Sequence, residues 1–264
     1  MDILSYSFMQ RAFLAGIFLS IISSIMGIYL LLRGISFMGA GISHAAFGGL
    51  AIGYLLGINT TITGIIFTLL MIWTMPYIVK KAGLKQDVPI SIYFSSSMAL
   101  GALLLSLHKG YTVDLFSFLF GNILAINEVD LIITFIFSIF LIIFFVKNYW
   151  KIIYLIFDQT SAEISGINTF KLEEFILTLT GIAIVLISKL VGVILSSALL
   201  IIPTATLLPF VKDFKKLILL NIFLNIFSIF SGLILSYYFN LPAGSTTVLV
   251  LTVVFFFSFL IKKS

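Results

Sequence analysis

One histidine stands inside an apolar stretch that is long enough to cross a membrane. His44 lies within residues 33–57, RGISFMGAGISHAAFGGLAIGYLLG, and is one of only two histidines in the chain. An imidazole exchanges protons near neutral pH, forms hydrogen bonds through either ring nitrogen, and binds transition metals. Ionisable groups inside a bilayer are costly and usually line a pathway or bind something, which makes His44 the first candidate functional residue. The simpler alternative is a histidine that only donates to a nearby carbonyl.

Small residues recur at every fourth position around His44. This small-residue stripe consists of Gly41, Ala45, Gly49, Gly53 and Gly57. Residues four apart share one face of a helix, and the stripe is predicted to lie on a helix over Phe37–Leu56. Small residues let another helix approach closely inside a bilayer. We therefore expect the stripe to be a helix-packing surface with open space beside the imidazole ring.

The composition indicates a membrane protein. Of the 264 residues, 61% are hydrophobic and only 9% are charged, whereas a soluble domain has about 25% charged residues. The predicted fold class is all-α, a polytopic bundle of transmembrane helices in the lipid bilayer. The absence of cysteine excludes disulfides and thiolate metal sites. We attribute the net charge of +5 to orientation in the membrane rather than to nucleic-acid binding.

Long apolar runs predict about eight to nine crossings in a single transmembrane domain over residues 1–264. The runs are Ala12–Leu32, Phe37–Leu56, Ile62–Val79, Ile90–Leu107, Leu131–Val146, Phe175–Ser188, Leu190–Phe210, Leu217–Phe239 and Val248–Ile261. Lys189 separates the sixth run from the seventh. The shorter run Leu115–Ile126 cannot span upright, and we predict a re-entrant half-helix there.

Basic loops indicate which side of the membrane each connection occupies. Lysine-rich loops 80–89, 147–174 and 211–216 and the C-terminus are predicted to be cytoplasmic. Counting back from them places the N-terminus outside, where Arg11 is an exception to the rule. No basic segment precedes the first apolar run, so we expect no cleavable signal peptide.

Residues for catalysis are missing. No apolar run contains a pair of acidic residues, and no phosphate-binding G-x-x-x-x-G-K-[ST] loop occurs. We therefore expect that the chain is not an enzyme, uses no cofactor and cannot hydrolyse ATP alone. An ion-coupled secondary transporter, which usually carries carboxylates within its crossings, remains an alternative class.

Two further segments have candidate roles. The stretch FDQTSAEISGINTFKLEE predicts a short helix, either an ordinary surface helix or a docking helix for a cytoplasmic partner. Its candidate docking residues are Asp158, Ala162, Glu163 and Gly166. Pro203 and Pro209 lie in an apolar run, where proline removes a backbone hydrogen bond. A static kink and a moving gate are equally open interpretations there.

Five blocks of the sequence together resemble the ABC-3 family, the membrane permease subunits of bacterial ABC importers for zinc and manganese. The blocks are residues 33–57, residues 100–107 with 114–131, residues 157–167, residues 189–206 and residues 231–250. The resemblance covers nearly the whole chain. It implies a multi-pass permease subunit in a bacterial or archaeal cytoplasmic membrane, within an ATP-driven importer whose cargo is zinc, manganese or iron. A permease for siderophore-like or cobalamin-like metal chelates is the related alternative.

The resemblance also implies partners. Two copies of the permease would form the translocation path, and two cytoplasmic ABC ATPase subunits would dock on the loop 158–171. An extracytoplasmic metal-binding protein would deliver the metal, which is cargo and not a cofactor. No nucleic-acid partner is implied.

The chain departs from the family at one suspected metal ligand. The family's helix-2 pattern is commonly Gly-Asp-Ala-x-Ser-His-Ala, and its Asp and His are the suspected ligands. His44 matches the histidine, but the aspartate position is Ala40. The resemblance thus assigns His44 as a transient transport ligand, with two copies facing each other across a dimer axis. Imidazole alone favours zinc or a similar borderline metal. The alternative is that Ala40 reflects a changed substrate or impaired transport.

Overall fold

The computed structural model describes residues 5–85, 87–107, 121, 123 and 126–261. These parts of the chain form eleven α-helices. They are α1 (Ser7–Leu32), α2 (Phe37–Leu56), α3 (Thr60–Ala82), α4 (Asp87–Leu107), α5 (Glu128–Lys147), α6 (Tyr149–Phe157), α7 (Gln159–Ile164), α8 (Thr169–Val191), α9 (Val193–Leu207), α10 (Phe214–Phe239) and α11 (Ala243–Ile261).

Eight of the described helices are long and apolar enough to cross a membrane. The apolar helix α9, at 15 residues, is shorter than these spans. Together they confirm the predicted all-α polytopic bundle of eight to nine crossings. The predicted half-helix over Leu115–Ile126 lies outside the described residues except for Gly121, Ile123 and Ile126.

The connection between α2 and α3 is a tight turn built from three local signals. Gly57 ends α2 with φ of 66°, a left-handed conformation that glycine adopts without strain. The N–H of Ile58 then donates to the Gly53 carbonyl at 3.0 Å, which closes the end of the helix. Asn59 is the N-cap of α3, and its side-chain oxygen accepts from the N–H of Thr61 at 3.0 Å.

The predicted helix break at Lys189 is wrong. Helix α8 continues through Lys189 to Val191, and the chain breaks at Gly192, whose φ is 87°. Lysine is a good helix former, and its charge is paired with Asp130 at 2.8 Å. Glycine accommodates a positive φ without a clash of Cβ, so the break falls there instead.

The helices group into two compact units, each drawn from separate parts of the chain. The first unit contains nearly all of α1, the first half of α5, the end of α8, and α9, α10 and α11. Its helices meet at glycines. A Cβ atom added to Gly27 would clash with the carbonyl of Leu200. A Cβ atom added to Gly16 would lie 2.8 Å from Cγ2 of Ile229. The backbones of α1 and α9 are therefore in direct contact at Gly27.

The second unit contains α2, α3, α4, α6, α7, the second half of α5 and most of α8. Helix α2 packs against both α3 and α4. Gly41 faces the side chain of Ile90 on α4, and Gly53 faces Thr63 on α3. A Cβ on Gly49 would lie 2.9 Å from the Cα of Gly64, so α2 and α3 are in direct backbone contact there.

This contact predicts different costs for two alanine substitutions. Gly49→Ala places a methyl group against the α3 backbone, whereas Gly64→Ala places one 3.2 Å from the movable end of Leu50. We expect Gly49→Ala to destabilise the protein by about 1–3 kcal/mol and Gly64→Ala to cost clearly less. Thermal unfolding in detergent measures both. Equal losses of stability would contradict the close approach at Gly49.

Candidate functional site

His44 lies in the second turn of α2, on a side that faces α4. Its side chain is half-buried, and its ring packs edge-on against Phe94 with ring centroids 4.6 Å apart. The Nδ1 atom is buried and has no hydrogen-bond partner among the described residues. The neighbouring hydroxyl of Ser43 bonds instead to the Gly39 carbonyl of its own helix, at 2.7 Å. The imidazole therefore keeps one nitrogen available inside a membrane-spanning helix.

The surroundings of His44 contain few groups that could share a metal ion. Ala40, one turn earlier, is half-buried and adds no polar atom. Over the part of the chain that the structure describes, no group of three or more His, Cys, Asp or Glu side chains is arranged to hold a metal. Within a single described chain, His44 is thus a lone ligand candidate rather than part of a complete site.

The short helix predicted after Phe157 is present as α7, and Asp158 caps it. The Asp158 carboxylate accepts from the Ser161 hydroxyl at 2.5 Å and from the Ser161 N–H at 3.0 Å. These two bonds, the hydroxyl first, lower the pKa of the exposed Asp158 carboxyl below its ordinary value. The carboxylate remains ionised at neutral pH and satisfies a backbone donor at the start of the helix.

The other docking candidates have different environments within the same loop. Ala162 is fully buried, and Glu163 accepts from the hydroxyl of Thr169 at 2.8 Å. Gly166 has φ of 80°, which ends the loop helix as predicted. Ile164, which the sequence reasoning passed over, is 82% exposed at the end of α7.

Arg33 makes two long-range contacts, whereas the sequence indicated only that it ends the first apolar run. Its guanidinium donates to Glu173 Oε1 at 2.6 Å and to the Leu155 carbonyl at 3.1 Å. The partners lie 140 and 122 residues away in the chain. The only sequence signal was a charge between two apolar runs, which identifies no partner.

The two prolines of residues 189–210 have different positions. Pro203 is buried inside α9, whereas Pro209 lies in the turn that follows Leu207. Only Pro203 therefore interrupts the hydrogen bonding of a helix interior. The role of both residues in a kink or gate stays a prediction.

A buried amide cluster lies beside Pro203 in the first unit. Asn221 donates to the Thr204 hydroxyl at 2.5 Å, and Asn225 donates to Ser24 at 3.0 Å and to Asn221 at 3.1 Å. The cluster joins α1, α9 and α10 by hydrogen bonds where apolar packing alone would be less specific. In the sequence, this cluster was indicated only by two asparagines four residues apart in an apolar run.

Two basic residues at the ends of apolar runs in the first unit have carboxylates beside them. Lys189 pairs with Asp130 at 2.8 Å, and Arg11 lies 4.0 Å from Glu128. Arg11, which fits the positive-inside rule poorly, therefore has a carboxylate beside it. Neither contact supplies the clustered carboxylates that an ion-coupled transporter uses.

Comparison with known proteins gives a consistent assignment. The model of the ABC 3 transport family matches residues 5–262. The manganese transport system membrane protein MntC of Listeria monocytogenes is 36% identical over 258 residues, which cover 98% of this chain and 92% of that protein. The manganese import system permease protein ScaB of Streptococcus gordonii is 36% identical over 256 residues, covering 97% and 92%.

A solved structure agrees with these relatives. The structure of PsaBC from Streptococcus pneumoniae in complex with Fab matches with a TM-score of 0.87 and 33% identity, over 97% of this chain and 92% of that chain. The predicted ABC importer permease fold and the multi-pass membrane location are thereby confirmed. The match also favours an ABC-type component over the ion-coupled secondary transporter. This chain belongs to the ABC 3 transport family.

Proposed function

We propose that this chain is the membrane-spanning permease subunit of an ATP-driven importer of divalent metal ions, with manganese as cargo. The observation that carries the proposal is the match of nearly the whole chain to the ABC 3 transport family and to manganese permeases at 36% identity. The buried Nδ1 of His44 in helix α2, which has no hydrogen-bond partner among the described residues, supplies a candidate ligand for the cargo. A nitrogen without a partner in a membrane span is unfavourable unless something else binds it. The names of the relatives, which are manganese transport proteins, support the choice of metal.

His44 acts as a transient ligand in this proposal. Neutral imidazole is a common metal ligand. Each chain supplies one imidazole, that of His44, in the second turn of α2. Two copies of the permease would bring two imidazoles to one ion, with water completing the coordination. A two-nitrogen site binds weakly, which suits a position from which the ion must leave.

The ATPase subunits dock on α7 in this proposal. The sequence has no phosphate-binding loop, so ATP hydrolysis takes place on separate subunits, two per importer. Helix α7 offers an exposed Ile164 and is held in shape by its Asp158 cap. An extracytoplasmic binding protein delivers the metal on the other side of the membrane.

Removing the imidazole tests the proposal directly. We expect His44→Ala to reduce ATP-dependent manganese uptake by the reconstituted importer to the background measured without ATP, because the path loses its ligand. His108→Ala, which removes the only other histidine of the chain, is the matched control. Uptake at the wild-type rate by His44→Ala, at equal protein levels, would contradict the role of His44.

Restoring a carboxylate tests the consequence of Ala40. Ala40→Asp adds an oxygen ligand one turn before His44, and manganese prefers oxygen ligands more than zinc does. We expect tighter manganese binding and a higher preference for manganese over zinc, measured by calorimetry on the purified complex. Ala40→Asn has nearly the same shape without the charge and serves as the control. No difference between the two variants would argue against a ligand position at residue 40.

The cap of α7 gives a prediction for docking. Asp158→Ala removes the acceptor, and we expect faster hydrogen exchange at the Ser161 amide and weaker co-purification of the ATPase subunits. Asp158→Asn keeps an acceptor and should retain most of both. The lowered pKa of Asp158 means that the contribution of the cap is present at neutral pH and disappears as pH falls through that pKa. Unchanged exchange in Asp158→Ala at pH 7 would contradict the cap.

A further inference from the structure

Arg33 occupies the connection between two membrane-spanning helices. It follows Leu32, the last residue of α1, and precedes α2 by only a few residues. Its side chain and that of Glu173 are 18% and 19% exposed, so their ion pair is largely shielded from water. A shielded bond between charged groups is stronger than an exposed surface pair.

The second bond of Arg33 caps a helix. Leu155 lies in the last turn of α6, where carbonyls have no partner within their own helix. The guanidinium donates to this carbonyl at 3.1 Å. The end of α6 continues into α7 through Asp158 alone, whose N–H donates to the Tyr154 carbonyl at 2.8 Å. Arg33 is therefore fixed to the helix that directly precedes the proposed docking helix.

The ion pair of Arg33 reaches the docking helix by a second route. Glu173 lies in the second turn of α8, whose first residue is Thr169. The Thr169 hydroxyl donates to Glu163 of α7 at 2.8 Å. Both ends of α7 are thus connected to one guanidinium: one end through α6 and the other through the start of α8.

Arg33 is also close in the chain to the candidate ligand. Gly34, with φ of 72°, makes the connection a tight turn, and α2 begins at Phe37, after which the N–H groups of Met38 and Gly39 donate to the carbonyls of Ile35 and Ser36. From Phe37 to His44 the chain is a continuous helix, about 10 Å long at 1.5 Å per residue. A displacement applied at Arg33 is transmitted along this helix to the imidazole.

We propose that Arg33 is a positioning residue that couples movement of α7 to movement of α2. When the ATPase subunits displace α7, the bonds to Leu155 and Glu173 move Arg33, and α2 carries His44 with it. This inference rests on the proposed function, in which α7 is the docking helix and His44 a transport ligand. It assigns to one side chain the mechanical connection between ATP hydrolysis and the metal path.

The first test measures distances and does not depend on transport. The chain has no cysteine, so spin labels at Thr160→Cys and Phe37→Cys report only on α7 and the start of α2. The label on α7 is placed at Thr160 because this residue is exposed on the same helix as Ile164, which belongs to the proposed docking surface. In the assembled complex we expect a narrow distance distribution that is the same with and without a non-hydrolysable ATP analogue. In Arg33→Gln we expect a broader distribution that changes with the analogue. Identical distributions in both proteins would overturn the proposal.

The second test measures coupling as manganese imported per ATP hydrolysed in proteoliposomes. We expect Arg33→Gln to retain ATP hydrolysis while this ratio falls several-fold, because hydrolysis no longer drives the movement of α2. Glu173→Gln should lower the ratio too, and the double variant should be no worse than Arg33→Gln. Lys189→Gln, which removes the unrelated ion pair with Asp130, should leave the ratio unchanged.

The outcomes separate the inference from the function on which it rests. A wild-type ratio in Arg33→Gln, or a parallel loss of hydrolysis and uptake with loss of folded protein, would overturn the coupling role. Arg33→Lys keeps the charge, but its single ammonium group cannot reproduce the two separate guanidinium bonds to Glu173 and Leu155. We therefore expect an intermediate number of manganese ions imported per ATP. Failure of the proposed function would instead appear as no ATP-dependent uptake by the wild-type complex, while the distance measurement still decides the role of Arg33.

Discussion

A polar group inside hydrocarbon has no water to bond, and this constraint determines where most buried polar side chains of the described residues lie. Buried hydroxyls bond to carbonyls of their own helices, as Ser20 does to Gly16 at 2.6 Å and Thr180 does to Ile176 at 2.8 Å. The asparagines of α10 bond to one another and to neighbouring hydroxyls. Among the described residues, the Nδ1 of His44 is one of a few buried polar atoms outside this pattern, as are the Oγ1 of Thr68 and the Oδ1 of Asn225. What distinguishes His44 from these is its chemistry, because imidazole is the one group among the three that commonly binds transition metals.

The small-residue stripe shows what a sequence pattern predicts and what it leaves open. Its spacing of four residues was enough to predict close helix packing on α2. Four residues exceed a full turn by about 40°, so the stripe rotates by about 120° between Gly41 and Gly53. This rotation explains why Gly41 faces α4 while Gly49 and Gly53 face α3. A pattern on one helix contains no information about which neighbours it meets.

Helix interiors were predictable because they are apolar, whereas helix ends and long-range pairs were not. Helix α8 begins at Thr169 rather than at Phe175, because its first turns, TFKLEE, are polar but still helical. Its end was misplaced because a charge was taken as the break and the positive φ of Gly192 was not foreseen. The pairing of Arg33 with Glu173 spans 140 residues and depends on how α6 and α8 pack, which local pattern does not determine.

Ala40 changes which part of the proposed importer selects the metal. Nitrogen ligands bind zinc more tightly than manganese, so an imidazole ligand at His44 does not by itself favour manganese. A carboxylate at residue 40 would shift the balance toward manganese, and this chain lacks it. If manganese is the cargo, selection must take place before the ion reaches α2, at the protein that delivers it. In the proposed importer the permease would then need only to release the ion quickly, for which a weak pair of imidazoles is better suited than a complete metal site.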